Sequence, residues 1–324
     1  MPLTSPSILV IRLDAIGDAL ALTPLLAALR ERAIPVDLVL RGANAEIFSS
    51  RAAREVYVAP FALRSSTPAN LREIRAFGTR LRQNAYTDTL VATEDPGGYR
   101  LARAVGSPHR VGFVNGLGKP FKTMWASLIL TRAIVRSAGL DPRAPHECVV
   151  LWELGRDLVG DATIPRDPNV LRPLVLDHEV PRGNRIAFQV SDKWERLGIE
   201  FAQVVRALRS AAQFGDVHAI AAANESAYAQ RIEATAGIAV ERFIALGPWK
   251  EAIANAAAII APDSGAVHVA GMVGTPTVAV FPPIRDFELQ LARWAPWAAP
   301  YCALRAEGSW PDQVAGALHE LLDR

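Results

Sequence analysis

The chain has 324 residues, enough for two domains that each bury a core of their own. Half of it is apolar, 21% is charged and the formal net charge is +2, which excludes a disordered chain; no basic block interleaved with aromatics points to nucleic acid. Cys148 and Cys302 stand far apart without CxxC or CxxH neighbours, so neither a disulfide framework nor a zinc site is indicated.

In chain order, ILVIRL (8–13) is a short apolar run closed by Asp14, which reads as a buried strand and not as a signal sequence. No stretch reaches the roughly 18 unbroken apolar residues of a membrane span, so a cytoplasmic location is expected. The run passes through DAIGD into DALALTPLLAALRER, whose apolar residues keep helical spacing. Strands follow at VDLVL (36–40), TDTLVAT (87–93) and RVGFV (110–114), with helices over 71–83 and 98–105. This alternation predicts a parallel sheet covered on both faces. The segment GKPFKTMWASLILTRAIVR (118–136) mixes bulky apolar residues with Lys119, Lys122, Arg132 and Arg136. Its two readings are a half-buried helix, which is favoured, and a peripheral contact with the anionic inner membrane surface.

The stretch 160–184 holds four prolines with little periodicity and predicts a linker between a domain over 1–170 and another beginning near 180. Beyond it the pattern restarts: strands at RIAFQVS (185–191), VHAIAAA (217–223), AIIAPD (258–263) and TPTVAVF (275–281) alternate with helices over 199–213, 227–235, 249–257 and 264–274, and PDQVAGALHELLDR closes the chain. The first 170 residues carry a surplus of five basic residues and the remainder a deficit of three, which points to an anionic partner for the first half.

In open α/β sheets ligands bind beyond the carboxyl ends of the strands, so the loops just after each strand carry the chemistry. In DAIGDALALTP, Gly17 permits a tight turn and Asp18 stands where the next helix begins. Asp18 is there either an N-cap, accepting from free amides, or a carboxylate placed to take a proton from an attacking hydroxyl. Asp14 competes for that second role or orients the loop. In VSDKWERLG, Lys193 follows a strand directly and is one of 4 lysines against 31 arginines. It reads either as a surface residue or as an ammonium that neutralises a departing diphosphate. In APDSGAVHVAGMVGTP, Asp263, Ser264 and Gly265 open a helix whose free amides and positive dipole end suit a pyrophosphate. His268, one turn further in, either reaches the same anion or packs within the fold. No GxGxxG follows either first strand and no GxxxxGK[ST] occurs, which counts against a dinucleotide-dependent dehydrogenase and a P-loop NTPase.

Two of these stretches, ILVIRLDAIGDALALTPLLAAL and PDSGAVHVAGMVGTPTVAVF, with shorter echoes at HECVVLWELG (146–155) and RWAPW (293–297), resemble the signatures of glycosyltransferase family nine, which transfers heptose from ADP-heptose to lipopolysaccharide core. The resemblance implies a GT-B fold: two facing Rossmann-like domains with parallel sheets and a cleft between them. The first, acceptor-binding, would span 1–170; the second, binding the nucleotide sugar, 180–309, with the closing helix (310–324) packing back on the first. It further implies Asp18 as catalytic base, Lys193 as phosphate-binding lysine with Ser191 in its loop, and Glu225 as the group that holds the donor ribose. Asp263, Ser264, Gly265 and His268 would form the donor loop. An inverting, metal-independent transfer follows, with ADP-heptose or another nucleotide sugar as substrate, no cofactor, and an anionic glycan or glycolipid of the cell envelope as acceptor. FPPIRD (281–286) departs from the family's Gly-Pro-Thr turn and bears on donor contacts. Two rivals remain, a nucleotide-sugar 2-epimerase and a catalytically degenerate protein that only binds nucleotide sugars.

Overall fold

The computed structural model describes residues 6–136 and 144–323. The chain divides into two compact units, Met1–Pro165 and Arg166–Arg324. Among the described residues no helix is long and apolar enough to cross a membrane.

In the first unit the strands are β1 (Ile8–Arg12), β2 (Val36–Leu40), β3 (Glu55–Val58), β4 (Asp88–Val91), β5 (His109–Val114) and β6 (Arg132–Val135). They pair in parallel in the order β3-β2-β1-β4-β5-β6. The helices are α1 (Ile16–Leu20), α2 (Thr23–Glu31), α3 (Pro68–Arg82), α4 (Pro96–Val105), α5 (Pro120–Ser127), α6 (Glu147–Trp152) and α7 (Arg156–Val159). The single helix expected after β1 is two. Pro24 sits at the start of α2 and has no N–H for the Leu20 carbonyl, so the helix breaks there and the Thr23 hydroxyl donates to that carbonyl at 2.6 Å. Every residue of β1 and β2 is buried, as expected of strands covered on both faces. The one acid within β2, Asp37, is fully enclosed and takes a two-pronged hydrogen bond from Arg54, at 2.9 and 2.7 Å.

The second unit repeats the plan. It contains β7 (Ile186–Gln189), β8 (Val217–Ala222), β9 (Val240–Phe243), β10 (Ala258–Pro262), β11 (Thr277–Phe281) and β12 (Tyr301–Arg305), ordered β12-β11-β10-β7-β8-β9. Its helices are α8 (Pro168–Leu171), α9 (Lys193–Arg196), α10 (Phe201–Phe214), α11 (Ser226–Ala236), α12 (Leu246–Asn255), α13 (Gly265–Val273), α14 (Phe287–Trp294) and α15 (Trp310–Leu322). In each unit the first strand lies between its second and its fourth, so strand order reverses there and a crevice opens at the carboxyl ends of that pair.

Two boundary expectations are corrected. The proline-rich stretch is not a free linker throughout: Leu171, Leu174 and Val175 are fully buried, and the Lys250 ammonium donates to the Val175 carbonyl at 2.7 Å. Gly274, which ends α13 at φ 79°, lies so close to Pro168 that a Cβ there would fall 2.7 Å from its side chain, drawing α8 onto α13. The closing helix α15 belongs to the second unit instead of crossing back to the first. Trp310, Val314, Leu318 and Leu321 form one apolar stripe sunk into the core that holds Phe188 and Val278. The Trp310 ring stacks on Trp194 at 5.9 Å and 14°. Trp310→Ala should lower the unfolding free energy by about 3–5 kcal/mol, the cost of emptying a large aromatic site, as read from denaturant melts of the whole chain.

Candidate active site

In the first unit the loop after β1 is organised by Arg12, whose side chain is 1% exposed. Its Nε donates to the Asp18 carbonyl at 3.0 Å, and its Nη2 lies 3.3 Å from both Asp18 Oδ1 and Glu147 Oε1. Glu147, at the first turn of α6 and wholly buried, also accepts from Arg136 Nη2 at 2.8 Å. A further Arg12 nitrogen donates to the Ala92 carbonyl beyond β4. One guanidinium therefore joins the ends of β1 and β4 to α6 and fixes the backbone of the loop that carries Asp18.

Asp18 is not the N-cap of α1. Ala15 holds that position, and Asp18 in the first turn reaches back so that its Oδ2 accepts from the Ala15 amide at 3.2 Å. This is half of a capping box, and it leaves the carboxylate about 30% exposed. Asp14 orients the loop: its carbonyl accepts from Asn44 at 2.7 Å and its carboxylate stands 3.5 Å from Arg12 Nη1. Gly17 is buried inside α1.

Asp14 and Asp18 border a cavity of about 660 Å³ at the reversal point of the first sheet, with Arg41, Glu94, Lys119 and Lys122 on its other sides. Glu94 follows β4 and accepts from Lys122 at 3.0 Å and from Asn115 at 3.2 Å, with the Lys119 ammonium at 3.5 Å. Burial pushes the Glu94 carboxyl up, but the hydrogen bond and charge of Lys122, helped by Asn115 and Arg136, outweigh it and hold the group at about 2.

In the second unit the structure brings Ser191, Lys193 and Glu225 together. The Glu225 carboxylate accepts from the Ser191 hydroxyl and from the Asp192 amide, each at 2.9 Å, while Ser191 Oγ accepts from the Lys193 amide at 3.1 Å. The loops after β7 and β8 are thus locked to each other. Beyond the neighbouring β10, Ser264 is the N-cap of α13 with an extended backbone, yet its side chain makes no cap hydrogen bond. Among the described residues its buried Oγ has no partner, a cost that a ligand atom would remove. Asp263 accepts from Gln290 of α14 at 3.0 Å. The departing FPPIRD segment therefore leads into a helix that supports the Asp263–Gly265 turn from the side. Gly265 begins α13, and His268, 8% exposed, sets its ring edge-on to Trp294 at 5.6 Å. Among the described residues no group of three or more His, Cys, Asp or Glu side chains forms a cage for a metal ion.

Residues 200–317 match the model of glycosyltransferase family 9, the heptosyltransferase family. That stretch, about a third of the chain, is the part whose sequence is similar to the family. The match takes in Glu225, Asp263, Ser264, Gly265 and His268 and lies wholly in the second unit. Among solved structures the fold is similar to that of Escherichia coli heptosyltransferase WaaC with ADP, at 18% identity and a TM-score of 0.72 over 98% of this chain and 99% of that one. It is equally similar to E. coli ADP-heptose lps heptosyltransferase II, at 18% identity and 0.72 over 98% of each chain. A family 9 glycosyl transferase from Veillonella parvula gives 15% identity and 0.71 over 99% of this chain and 98% of that one. At such identities the likeness is one of fold, and that fold is the GT-B architecture of two α/β units. No curated protein sequence matches the chain.

The motifs that the sequence displays assign no role to Arg12, Glu94 or Glu147. Arg12 had a signal, a lone cation inside an otherwise apolar strand, which demands a buried acid; which acid answers it, 135 residues away, is set by the fold. Glu147→Gln removes the buried carboxylate that Arg12 and Arg136 share, leaving Arg12 only the partly exposed Asp14 and Asp18, and should cost about 3–5 kcal/mol in urea melts. The Glu94 pair predicts an acid dependence. Its carboxyl titrates at about 2 when folded and near ~4.3 in an unfolded chain, so its stabilising effect is complete above that higher value and is lost as pH falls towards the lower one. Glu94→Gln should flatten this part of the stability curve, as followed by urea midpoints measured down the acid range.

Proposed function

We propose that the chain is an inverting, metal-independent glycosyltransferase that moves a heptose, or a related sugar, from ADP-heptose or another nucleotide sugar onto an anionic glycan or glycolipid of the cell envelope, acting from the cytoplasm. The observation that carries this reading is the turn at Ser264: an unpartnered hydroxyl and the free amides of α13 stand together after β10, inside the stretch that matches family 9. Free amides at a helix start and its positive dipole end suit a diphosphate. That the similar WaaC structure was solved with ADP supports the assignment of the second unit to the donor.

In this mechanism Asp18 takes the proton of an acceptor hydroxyl, whose oxygen attacks the anomeric carbon while the bond to the donor phosphate breaks. The electron pair leaves with the nucleoside diphosphate, whose added charge is met by Lys193 and by the amides at Ser264 and Gly265. Glu225, held rigid by Ser191 and the Asp192 amide, offers its remaining lone pairs to the ribose hydroxyls of the donor. Asp263 and His268 shape the same loop. The cations around the first-unit cavity, Arg41, Lys119 and Lys122, favour an acceptor that bears negative charge.

Asp18→Asn is expected to bind nucleoside diphosphate as the parent does, measured by calorimetry, and to lose on the order of a hundredfold or more in turnover, the usual share of a general base. Near-parental turnover would remove Asp18 from the mechanism. Donor incubated alone discriminates the epimerase reading, because conversion to an isomeric nucleotide sugar without any acceptor would replace transfer as the function.

A further inference from the structure

We propose that the tip of the first unit formed by residues 116–128 docks on a bilayer surface that contains anionic phospholipid. The proposal stands on this surface alone and does not depend on which sugar, if any, the protein transfers. The sequence favours a half-buried helix here, and the structure gives a short one with one bare face: of the eight residues of α5 only Ala126 is fully buried, while Lys122, Thr123 and Trp125 are partly covered. Leu117 is 96% exposed, Phe121 82%, Met124 63% and Leu128 81%. Phe121, Met124 and Leu128 lie at i, i+3 and i+7, on one face of the helix. Among the described residues ten large apolar side chains are exposed, and half of them fall between Leu117 and Val135. Single exposed apolar residues are ordinary, but a cluster of this kind marks a contact surface.

The tip is held in place. Trp125, one turn on from Phe121, packs against the first unit's core, stands 5.7 Å from Tyr99 and lies under the Arg100 guanidinium at 5.5 Å. The apolar face therefore cannot fold back onto that core without giving up these contacts.

Charge selects the partner. From Pro96 to Arg136 the chain carries seven Lys or Arg and no Asp or Glu. Acids from outside the stretch answer some of these: Glu94 faces Lys119 and Lys122, Asp157 faces Arg132, and Glu147 faces Arg136. Among the described residues Arg100, Arg103 and Arg110 have no acidic partner, and Lys119 keeps half of its side chain in solvent. Protruding Leu and Phe beside a surplus of basic groups are what an interface with acidic headgroups over an apolar interior requires. A helix of eight residues inserts only a few side chains, so the two contributions must act together.

The experiment is flotation of the full chain with vesicles of phosphatidylcholine alone and of phosphatidylcholine mixed with phosphatidylglycerol, beside Phe121→Ser/Leu128→Ser and a control, Ile244→Ser, whose side chain is 95% exposed on the second unit. The expected result is binding to the mixed vesicles that weakens on adding salt and is lost by roughly a hundredfold in the double variant, about tenfold per apolar side chain withdrawn. The control should bind like the parent, and all three proteins should melt at the same temperature, since every substituted side chain is exposed. Failure of the parent to float with mixed vesicles would overturn the proposal, as would flotation undiminished in the double variant. A parent that is dimeric by light scattering and that the double variant renders monomeric, without vesicle binding, would assign the patch to a second copy of the chain instead.

Discussion

A guanidinium with no access to water sets the terms for the first unit. Arg12 occupies the last position of a strand whose other residues are all apolar, and burying a charge there is costly unless several partners meet it. The fold supplies two backbone carbonyls and three acids, Asp14, Asp18 and Glu147, and Glu147 is itself shared with Arg136. Satisfying this one side chain fixes the direction in which the chain leaves β1, the closeness of β4 and the seat of α6. A loop that would otherwise be free at the mouth of the sheet becomes rigid, and the carboxylate at its far side is presented to the cavity at a fixed angle. Rigidity of this kind is what a proton acceptor needs in order to act without reorganising.

The second unit reaches the same end with weaker groups. Glu225 joins the loops after β7 and β8 through one hydroxyl and one amide, and no buried cation is involved. The two units thus repeat a topology but not a chemistry. The first gathers charged groups of both signs around an open space, and the second arranges amides, hydroxyls and small residues around a helix start. The proposed division, one unit for the acceptor and its proton and the other for a diphosphate, rests on that difference.

What could be read in the sequence follows the burial of the strands. β1, β2, β10 and β11 are enclosed throughout, so their residues are apolar except for Arg12, Asp37 and Thr277 and were legible together with the loops that follow them. β3, β6, β9 and β12 were not, because each is an outer strand of four or five half-exposed residues in which apolar and polar types mix. The order Asp263, Ser264, Gly265 at a strand-to-helix turn was visible as a pattern, since the chemistry lies in consecutive residues. The cluster around Arg12 was not, because Glu147 and Arg136 come to it from distant parts of the chain and only the packed fold brings them within hydrogen-bonding distance. The seat of the closing helix, expected from the family resemblance alone, was not legible either: an apolar stripe declares that a helix is covered, and not which core covers it.

The outer strands have a consequence for solubility at high concentration. Among the described residues the two open sheets end in four outer strands, and an outer strand has backbone amides and carbonyls able in principle to recruit a strand from another molecule. Every one of these edges carries formal charge: Glu55 on β3, Arg132 on β6, Glu241 and Arg242 on β9, and Arg305 on β12. An incoming strand would have to strip water from those groups before it could pair, so the margins of both sheets are guarded against runaway self-assembly by the same residues that obscured them as strands.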